Sequence, residues 1–253
     1  MKSLAKALDI LNYMAVRRDE VRLSDIAEGL GIGKSTVSKM LSVLARYDYV
    51  QKSPDTGKFR LGAQYIRVGS QLLRQMSVPD AAKPLMAELA RQTGETVNLM
   101  LPYDTRGIFV HIIESNQLNR TFRGVGTVEY LHACSCGKAI LAYLAPAERE
   151  RILAAAGMPA LTPRTVVDRV ALEDQLAAVR QEGYAVEQEE ICLGACCVAA
   201  PILDFSGAPV AAVSISAPLS RMPKETVCQY GELVAQACGR ISGSLGHFQK
   251  PRV

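Results

Sequence analysis

The stretch that decides the fold is RLSDIAEGLGIGKSTVSKMLSVL, which runs from Arg22 to Leu44. Its pattern predicts two short helices joined by a tight turn. Ser24 is expected to cap the first helix, because its hydroxyl can accept a hydrogen bond from a free backbone N–H. Gly31 suits the turn, since glycine reaches positive φ without steric cost. The second helix is predicted to begin near Lys34 and to run to about Tyr47.

The second predicted helix has an apolar side and a basic side. At 3.6 residues per turn, Val37, Leu41 and Leu44 fall on one side. The opposite side carries hydroxyls and cations and no carboxylate, a chemistry that suits phosphates and base edges. An ordinary amphipathic helix with a solvated basic side has the same pattern, so this alternative stays open. The predicted DNA contacts of this helix are Lys34, Ser35, Thr36, Ser38, Lys39, Ser42 and Arg46.

A short hairpin is predicted directly after this helix. Tyr49–Lys52 and Lys58–Leu61 are strand-like, and residues 53–57, Ser-Pro-Asp-Thr-Gly, have turn chemistry. A hairpin in this position is a wing, and its cations Lys52, Lys58 and Arg60 are expected to lie on the phosphate backbone. The hairpin is a generic element by itself and gains its meaning from the order of the elements.

The positive charge is concentrated in the N-terminal third of the chain. Residues 1–77 hold 13 Lys and Arg against 7 Asp and Glu, whereas residues 78–253 hold 16 against 18. This split is expected if the first third meets nucleic acid. We expect no signal peptide and no membrane contact, because no apolar run approaches the roughly 20 residues that span a bilayer. The seven cysteines match no disulfide scaffold, which predicts reduced thiols in a cytoplasmic protein.

The chain is long enough for two domains. A proline after a helical segment predicts a boundary near residues 75–80. We therefore expect a DNA-binding domain over 1–62, a linker helix over 63–77 and a second domain over 78–253, of α+β class with an antiparallel sheet. Its predicted strands are Thr96–Leu101, Gly107–Glu114, Tyr184–Glu189, Cys197–Leu203 and Pro209–Ser216. Its predicted helices are Asp80–Thr93, Cys136–Leu144, Pro146–Ala156, Val170–Gly183 and Lys224–Leu245.

Several segments, in this order, resemble one family. They are the N-terminal winged helix-turn-helix, the segment LHACSCGKA (131–139), the segment GYAVEQEE (183–190) continuing through Gly194 to CVAAPI (197–202), and Ser214-Ile215-Ser216 before the terminal helix. Together they resemble the IclR family of bacterial transcriptional regulators across essentially the whole chain. The resemblance implies a winged helix-turn-helix, a linker helix and a GAF-like effector-binding domain, in homodimers or homotetramers on double-stranded operator DNA.

Within the family, residues 95–99 and 240–242 resemble the branch that senses sugar acids such as 2-keto-3-deoxygluconate. The chain departs from the family pattern at Glu187, where Asp or Ser is usual, and at Ser38-Lys39, where His or Tyr followed by Arg is common. Lysine does not replace a bidentate arginine contact to guanine. The operator preference of relatives therefore does not carry over.

The resemblance maps effector contacts onto Leu118, Ser135, Glu187, Cys197, Ser214 and Ser216. The residues themselves support a pocket for a small carboxylate effector. Ser214 and Ser216 are two apart on a strand and so face one side. Ser135 and Gly137 are expected to precede a helix, whose free N–H groups favour an anion. Arg120 and Arg123, in the preceding loop, can fork a carboxylate, and the thiols of Cys134 and Cys136 would add small walls.

Each of these candidate site residues also has an ordinary structural interpretation. The serines can be ordinary strand hydroxyls, the two arginines solvated, and His132 a satisfied structural histidine. Glu187, Glu189 and Glu190 would usually form a solvated acidic run.

The sequence leaves three other functions to consider. The cysteines at 134, 136, 192, 196 and 197 suggest a redox or metal sensor, but the paired Cys-x-x-Cys spacing of structural zinc is absent from the sequence. An enzyme is not expected, since no nucleophile and base stand at readable spacing and no cofactor motif occurs. The third alternative is a DNA-binding scaffold whose second domain only oligomerises.

Overall fold

The computed structural model describes residues 2–17, 19–68, 77–120 and 123–247. The chain divides into two compact units, Met1–Gln75 and Met76–Val253. Within the described residues, no helix is long and apolar enough to cross a membrane.

The N-terminal unit contains the helix-turn-helix and the hairpin. Its elements are α1 (Lys2–Ala15), α2 (Leu23–Leu30), α3 (Lys34–Arg46), β1 (Val50–Lys52) and β2 (Phe59–Leu61). The two strands pair antiparallel. Gly31 has a φ of 62° after α2, as its place in the turn predicted. A small core holds the unit together, formed by Ile10, Met14, Val21, Ile26, Ala27, Val37, Leu41, Val50 and Phe59.

The prediction that Ser24 caps α2 is wrong. The helix begins one residue earlier, at Leu23, so the cap position falls on Arg22 and no side chain caps it. Ser24 therefore lies inside the first turn, and its hydroxyl donates to Oδ1 of Asp25 at 3.1 Å. Residues 64–68 are helical, and residues 69–76 of the predicted linker helix lie outside the described residues.

The C-terminal unit is a sheet covered by helices on both faces. Its strands are β3 (Thr96–Tyr103), β4 (Arg106–Ile113), β5 (Val128–Glu129), β6 (Ala185–Gln188), β7 (Ala195–Leu203) and β8 (Pro209–Pro218). They form a six-stranded sheet in the order β5-β4-β3-β8-β7-β6, and neighbouring strands run antiparallel. Its helices are α4 (Val78–Thr93), α5 (Ser135–Tyr143), α6 (Pro146–Ala156), α7 (Arg169–Glu182) and α8 (Lys224–Ser244).

Each face of the sheet has its own core. Helices α4 and α8 pack on one face against Val97, Leu99, Val198, Val213 and Ile215. Helices α5, α6 and α7 cover the other face, where the strands contribute Met100, Phe109, Ala199 and Ala212. Because successive side chains of a strand point to opposite faces, the residues between these aliphatic positions all lie under α5, α6 and α7.

The element bounds differ from the predicted ones at two informative places. Helix α4 begins at Val78 rather than Asp80, because Pro79 sits in its first turn, where proline's missing N–H leaves no bond unmade. Strand β5 was not predicted, since two residues are too few to show a period of alternation.

Candidate functional site

Helix α3 presents the predicted cations and hydroxyls to solvent. Val37 and Leu41 are buried on its inner side. Lys34, Ser35, Ser38, Lys39, Ser42 and Arg46 are exposed, and Thr36 is half-buried. Ser42 donates its hydroxyl hydrogen to the carbonyl oxygen of Ser38 at 2.9 Å, which leaves its oxygen facing outward as an acceptor.

The hairpin after α3 carries its cations in different settings. Arg60 donates from Nε and Nη2 to Oε1 of Gln51 at 3.1 and 2.9 Å. The ammonium of Lys52 lies 5.8 Å from the centroid of the Phe59 ring, and Lys58 is half-buried. Among the residues that the structure describes, none of these three cations, nor Lys39 or Arg46, forms an ion pair with a carboxylate. Their charges are therefore available to an external anion.

In the C-terminal unit, a row of polar side chains crosses four strands. Glu187 of β6 is paired with Cys197 of β7, Cys197 with Ser216 of β8, and Ser216 with Thr96 of β3. Directly opposed residues share a face, so this row lies on the side covered by α5. All four side chains are buried.

A second polar row lies two residues along the same strands. Asn98 of β3 is paired with Ser214 of β8. The amide nitrogen of Asn98 donates to Oγ of Ser214 at 3.1 Å and to Oγ of Ser216 at 3.0 Å. The prediction that the two serines face one side is therefore confirmed, and Asn98, which sequence reasoning missed as a site residue, joins them. The two rows together are called the polar face below, comprising Thr96, Asn98, Glu187, Cys197, Ser214 and Ser216.

The N-terminus of α5 packs onto this region. The helix begins at Ser135, and Cys134 is its cap, with Sγ accepting from the N–H of Gly137 at 3.2 Å. Ser135 and Gly137 thus belong to the helix rather than precede it, and one of the N–H groups expected to be free is already bonded. A side chain at Gly137 would place its Cβ 2.2 Å from the carbonyl oxygen of Leu131, so only glycine permits this approach.

Two of the three glutamates at 187–190 are buried, which is inconsistent with the alternative interpretation as a solvated acidic run. Glu187 accepts from the N–H groups of Glu190 at 2.6 Å and Ile191 at 3.2 Å. Burial raises the pKa of the Glu187 carboxyl, and these hydrogen bonds oppose the rise. Glu190 forms a buried ion pair with Lys138 of α5, a partner that sequence reasoning missed. A charged lysine inside a helix is stable there only because it is paired.

The predicted arginines and Leu118 lie at the edge of this region. Arg120 pairs with Glu114 at 3.2 Å, with both side chains partly exposed. Arg123 forms an ion pair with Glu129 in a more buried setting, so it is not the unpaired fork that was expected. Leu118 is fully exposed. The two arginines line a cavity of about 770 Å³, whose lining also includes Leu193, Ala195 and Pro218.

This cavity adjoins the polar face. Ala195 and Pro218 are paired across β7 and β8, two residues before Cys197 and two after Ser216. Side chains two apart on a strand share a face, at roughly 7 Å spacing. The Arg123 guanidinium lies 5.8 Å from the centroid of the Phe109 ring, and Phe109 belongs to the core under α5 that also contains Cys134 and Cys136. Arg123 therefore adjoins this core as well as the cavity.

The cysteines are free thiols of two kinds. Cys192 and Cys228 are exposed, and Cys134, Cys136, Cys196, Cys197 and Cys238 are buried. Burial raises the pKa of Cys134 and Cys196 to about 12, which keeps them protonated and unreactive. Within the described ranges, no group of three His, Cys, Asp or Glu side chains is placed to hold a metal ion. His132 is buried, with Nε2 3.2 Å from the carbonyl oxygen of Pro159, as a structural histidine would be.

Comparison with known proteins gives a consistent result for both units. Residues 3–54 match the IclR helix-turn-helix domain, and residues 70–243 match the C-terminal domain of the bacterial transcriptional regulator IclR. The chain is 30% identical to the HTH-type transcriptional regulator XynR of Escherichia coli, over 98% of each chain. It is 31% identical to the transcriptional repressor IclR of the same species, over 97% of this chain and 90% of the relative.

Solved structures agree. A putative IclR transcriptional regulator from Silicibacter sp. TM1040 superposes with a TM-score of 0.87 at 27% identity, covering 99% of this chain and 98% of that one.

Proposed function

Since the chain belongs to the IclR family of bacterial transcriptional regulators, and is a DNA-binding regulator rather than an enzyme, we propose that it responds to a small organic acid. The proposed effector is a sugar acid or keto acid held by the C-terminal domain. The observation that carries this proposal is the polar face beside a cavity that two arginines line.

The proposed site offers complementary ends to such an acid. Arg120 and Arg123 stand at the cavity, where a guanidinium can bind a carboxylate through two parallel hydrogen bonds. The hydroxyls of Ser214 and Ser216 stand deeper, on the sheet. A small acid with hydroxyl or keto oxygens would use both, with its carboxylate toward the arginines. Cys134, Ser135, Cys136 and Cys197 would form the wall under α5, and Glu187 the far end of the row.

For the N-terminal unit, we propose that α3 and the hairpin make the operator contacts. The exposed Lys39 and Arg46 lie on the outward side of α3, and phosphate neutralisation by such cations releases counterions from DNA. The wing cations Lys58 and Arg60 would add backbone contacts. Ser35 and Ser38 are the proposed readers of base edges, because hydroxyls donate and accept, and Ser42 would read them as an acceptor.

We also propose a homodimer at minimum. One recognition helix reads only a few base pairs, and two half-sites supply the remaining specificity. The first helix leaves Leu4 and Leu8, one turn apart, 68% and 52% exposed, and Ile66 is exposed after the hairpin. An apolar strip of this kind suits a second copy of the chain. Light scattering on the free protein tests this, and a monomer both free and on DNA would contradict it.

The alternative of a cysteine-based redox or metal sensor receives less support. Thiolate is the reactive and metal-binding form, and burial holds the pKa of Cys134, Cys136, Cys196 and Cys238 at about 12. A scaffold that only oligomerises would leave the polar face without a ligand.

The test combines ligand binding with DNA binding. A thermal-shift screen of sugar acids, hydroxy acids and keto acids should raise the midpoint of the C-terminal unit with some of them, because a ligand of the native state stabilises it. Each hit is then added to a complex with duplex DNA selected from a random library by the protein itself. A change in DNA affinity supports the proposal. Stabilisation by no acid, or binding without any effect on DNA, would contradict it.

The DNA contacts are tested in the same assay. Changing both Lys39 and Arg46 to alanine should weaken DNA binding and lower the slope of log affinity against log salt by about 0.9 for each lost phosphate contact. The control removes two exposed cations of the C-terminal unit, Lys83 and Arg240, and should leave the slope unchanged. Equal slopes in the two variants would contradict the assignment.

A further inference from the structure

We propose that Asn98 selects the effector by accepting a hydrogen bond from it, so that a hydroxy acid binds in preference to the corresponding keto acid. This inference rests on the proposed function and narrows its ligand class. It assigns a role to an atom that the sequence patterns did not mark.

The side-chain amide nitrogen of Asn98 is fully hydrogen-bonded within the protein. Asn98 is 1% exposed, and its Nδ2 donates to the hydroxyl oxygens of Ser214 and Ser216. An amide NH₂ has two hydrogens, so both are used inside the protein. The nitrogen therefore has nothing left to offer a ligand.

The serine hydroxyls act as acceptors toward Asn98. Each hydroxyl oxygen accepts a hydrogen from Nδ2, so its own hydrogen points away from that nitrogen. Oδ1 of Asn98 receives no hydrogen bond from either serine.

The amide oxygen is the remaining polar atom of the Asn98 side chain. Oδ1 of Asn98 is buried and finds no hydrogen-bond donor among the described residues. A buried acceptor without a partner costs about 1–3 kcal/mol, so such an atom in a native structure calls for an explanation. A donor on a bound ligand would supply the missing bond.

The surroundings favour the same ligand chemistry. Oε2 of Glu129 is a second buried oxygen without a partner, while the other carboxylate oxygen of that residue pairs with Arg123. Lys138, the nearby buried cation of α5, is already paired with Glu190. The region therefore holds two buried oxygen atoms, Oδ1 of Asn98 and Oε2 of Glu129, that lack a hydrogen-bond donor among the described residues.

A hydroxyl and a keto group on the ligand differ in whether they can donate a hydrogen bond to Oδ1 of Asn98. A hydroxyl can donate to Oδ1, whereas a keto oxygen can only accept and would leave Oδ1 unpaired. Sites that hydrogen-bond a ligand hydroxyl reject the analogue that lacks it, because their buried polar groups are then left without partners.

The test uses pairs of acids that differ only in this group: lactate and pyruvate, malate and oxaloacetate, 2-hydroxyglutarate and 2-ketoglutarate. Calorimetry on the parent protein should give about tenfold tighter binding of the hydroxy member in any pair that binds, which corresponds to one unsatisfied buried acceptor. Asn98→Leu should reduce this preference to within about twofold.

The matched control is Gln175→Leu. Gln175 of α7 also has a buried amide oxygen without a partner among the described residues, but it lies on a different cavity wall and should leave the preference unchanged. If Asn98→Leu fails to fold, Asn98→Ala serves as the second variant, and the parent's own preference already decides the first half of the test.

The outcomes separate the two proposals. Equal binding within the pairs, or tighter binding of the keto member, would overturn the role of Asn98 and leave the organic-acid effector standing. A hydroxy preference that survives in Asn98→Leu would also overturn it. If no acid binds the parent protein, the proposed effector class fails, and the assignment of Asn98 fails with it.

Discussion

The two faces of the six-stranded sheet are both buried, yet they differ in composition. Along β8, Val213 and Ile215 point to the face under α4 and α8, where they belong to its hydrophobic core. Ser214 and Ser216 alternate with them and point under α5. On a one-sided sheet, such alternation separates the core from solvent. Here both sets are buried, so the polar side chains are not there to meet water.

In this domain, the aliphatic face is the main source of stability, and the proposed function belongs to the polar face. The aliphatic face gains free energy from each buried methyl group. The polar face gives up part of that gain, since buried polar groups contribute little beyond the bonds they make. The proposed effector site would account for this departure, because sequences depart from the simplest core at functional places.

The largest loss of stability is expected when the buried ion pair of Lys138 and Glu190 is broken. Lys138→Met leaves the Glu190 carboxylate buried without its partner and should lower the free energy of unfolding of the C-terminal unit by about 3–5 kcal/mol. The double variant Lys138→Met, Glu190→Gln should recover much of that loss, because no lone charge remains. Urea unfolding measures both. A loss under about 1 kcal/mol in the single variant would contradict this account.

The next effect compares neighbours on one strand. Ile215→Ala opens a cavity in the aliphatic face and should cost about 2–5 kcal/mol of unfolding free energy. Ser214→Ala removes one hydrogen-bond partner of Asn98 and should cost about 1 kcal/mol. The same unfolding measurement distinguishes them. Equal losses at the two positions would mean that the faces contribute alike to stability.

The smallest effect is a pH dependence at Glu187. Burial raises the pKa of its carboxyl above that of the unfolded chain, so the folded state holds the proton more tightly. The associated stability is present at low pH and is lost as pH rises through the folded pKa. Glu187→Gln keeps a carbonyl for the N–H groups of Glu190 and Ile191 and carries no charge. Relative to the parent, this variant should therefore become more stable as pH rises from about 5 to about 8.

Thermal midpoints measured across that range check the prediction. The contributions of the other titrating groups cancel in the difference between variant and parent, because both proteins share those groups. A difference that stays constant with pH, or that shrinks as pH rises, would show that the Glu187 carboxyl titrates normally in the folded protein.

Much of this architecture follows from local patterns. The helix-turn-helix and hairpin were predicted because capping, turn and periodic signals lie within a few residues of one another. The placement of Ser214 and Ser216 on the same face follows from the two-residue period of a strand. Ser24 is the local exception: the helix starts one residue earlier than its most obvious cap.

The parts that were missed depend on distant pairings. Asn98 meets its serines across 116 and 118 residues of sequence, and only the β3–β8 register reveals it. Lys138 meets Glu190 across 52 residues. Neither a single lysine in an apolar helix nor three glutamates near a turn indicates from sequence alone that Lys138 and Glu190 form an ion pair. Two signals were available: Asn98 is a polar residue inside the predicted strand Thr96–Leu101, and it lies within residues 95–99, which resemble the sugar-acid-sensing branch of the family.

We infer that the polar face of the sheet binds the effector while the aliphatic face only stabilises the domain. Calorimetric titration of the double variant Ser214→Ala, Ser216→Ala, with the acid that stabilises the parent most, tests it directly. Val213→Ala on the other face is the matched control. We predict about tenfold weaker acid binding or more in the serine variant, near-parent binding in the control, and unchanged ligand-free DNA affinity in both. Parent-like acid affinity in the serine variant would contradict the claim.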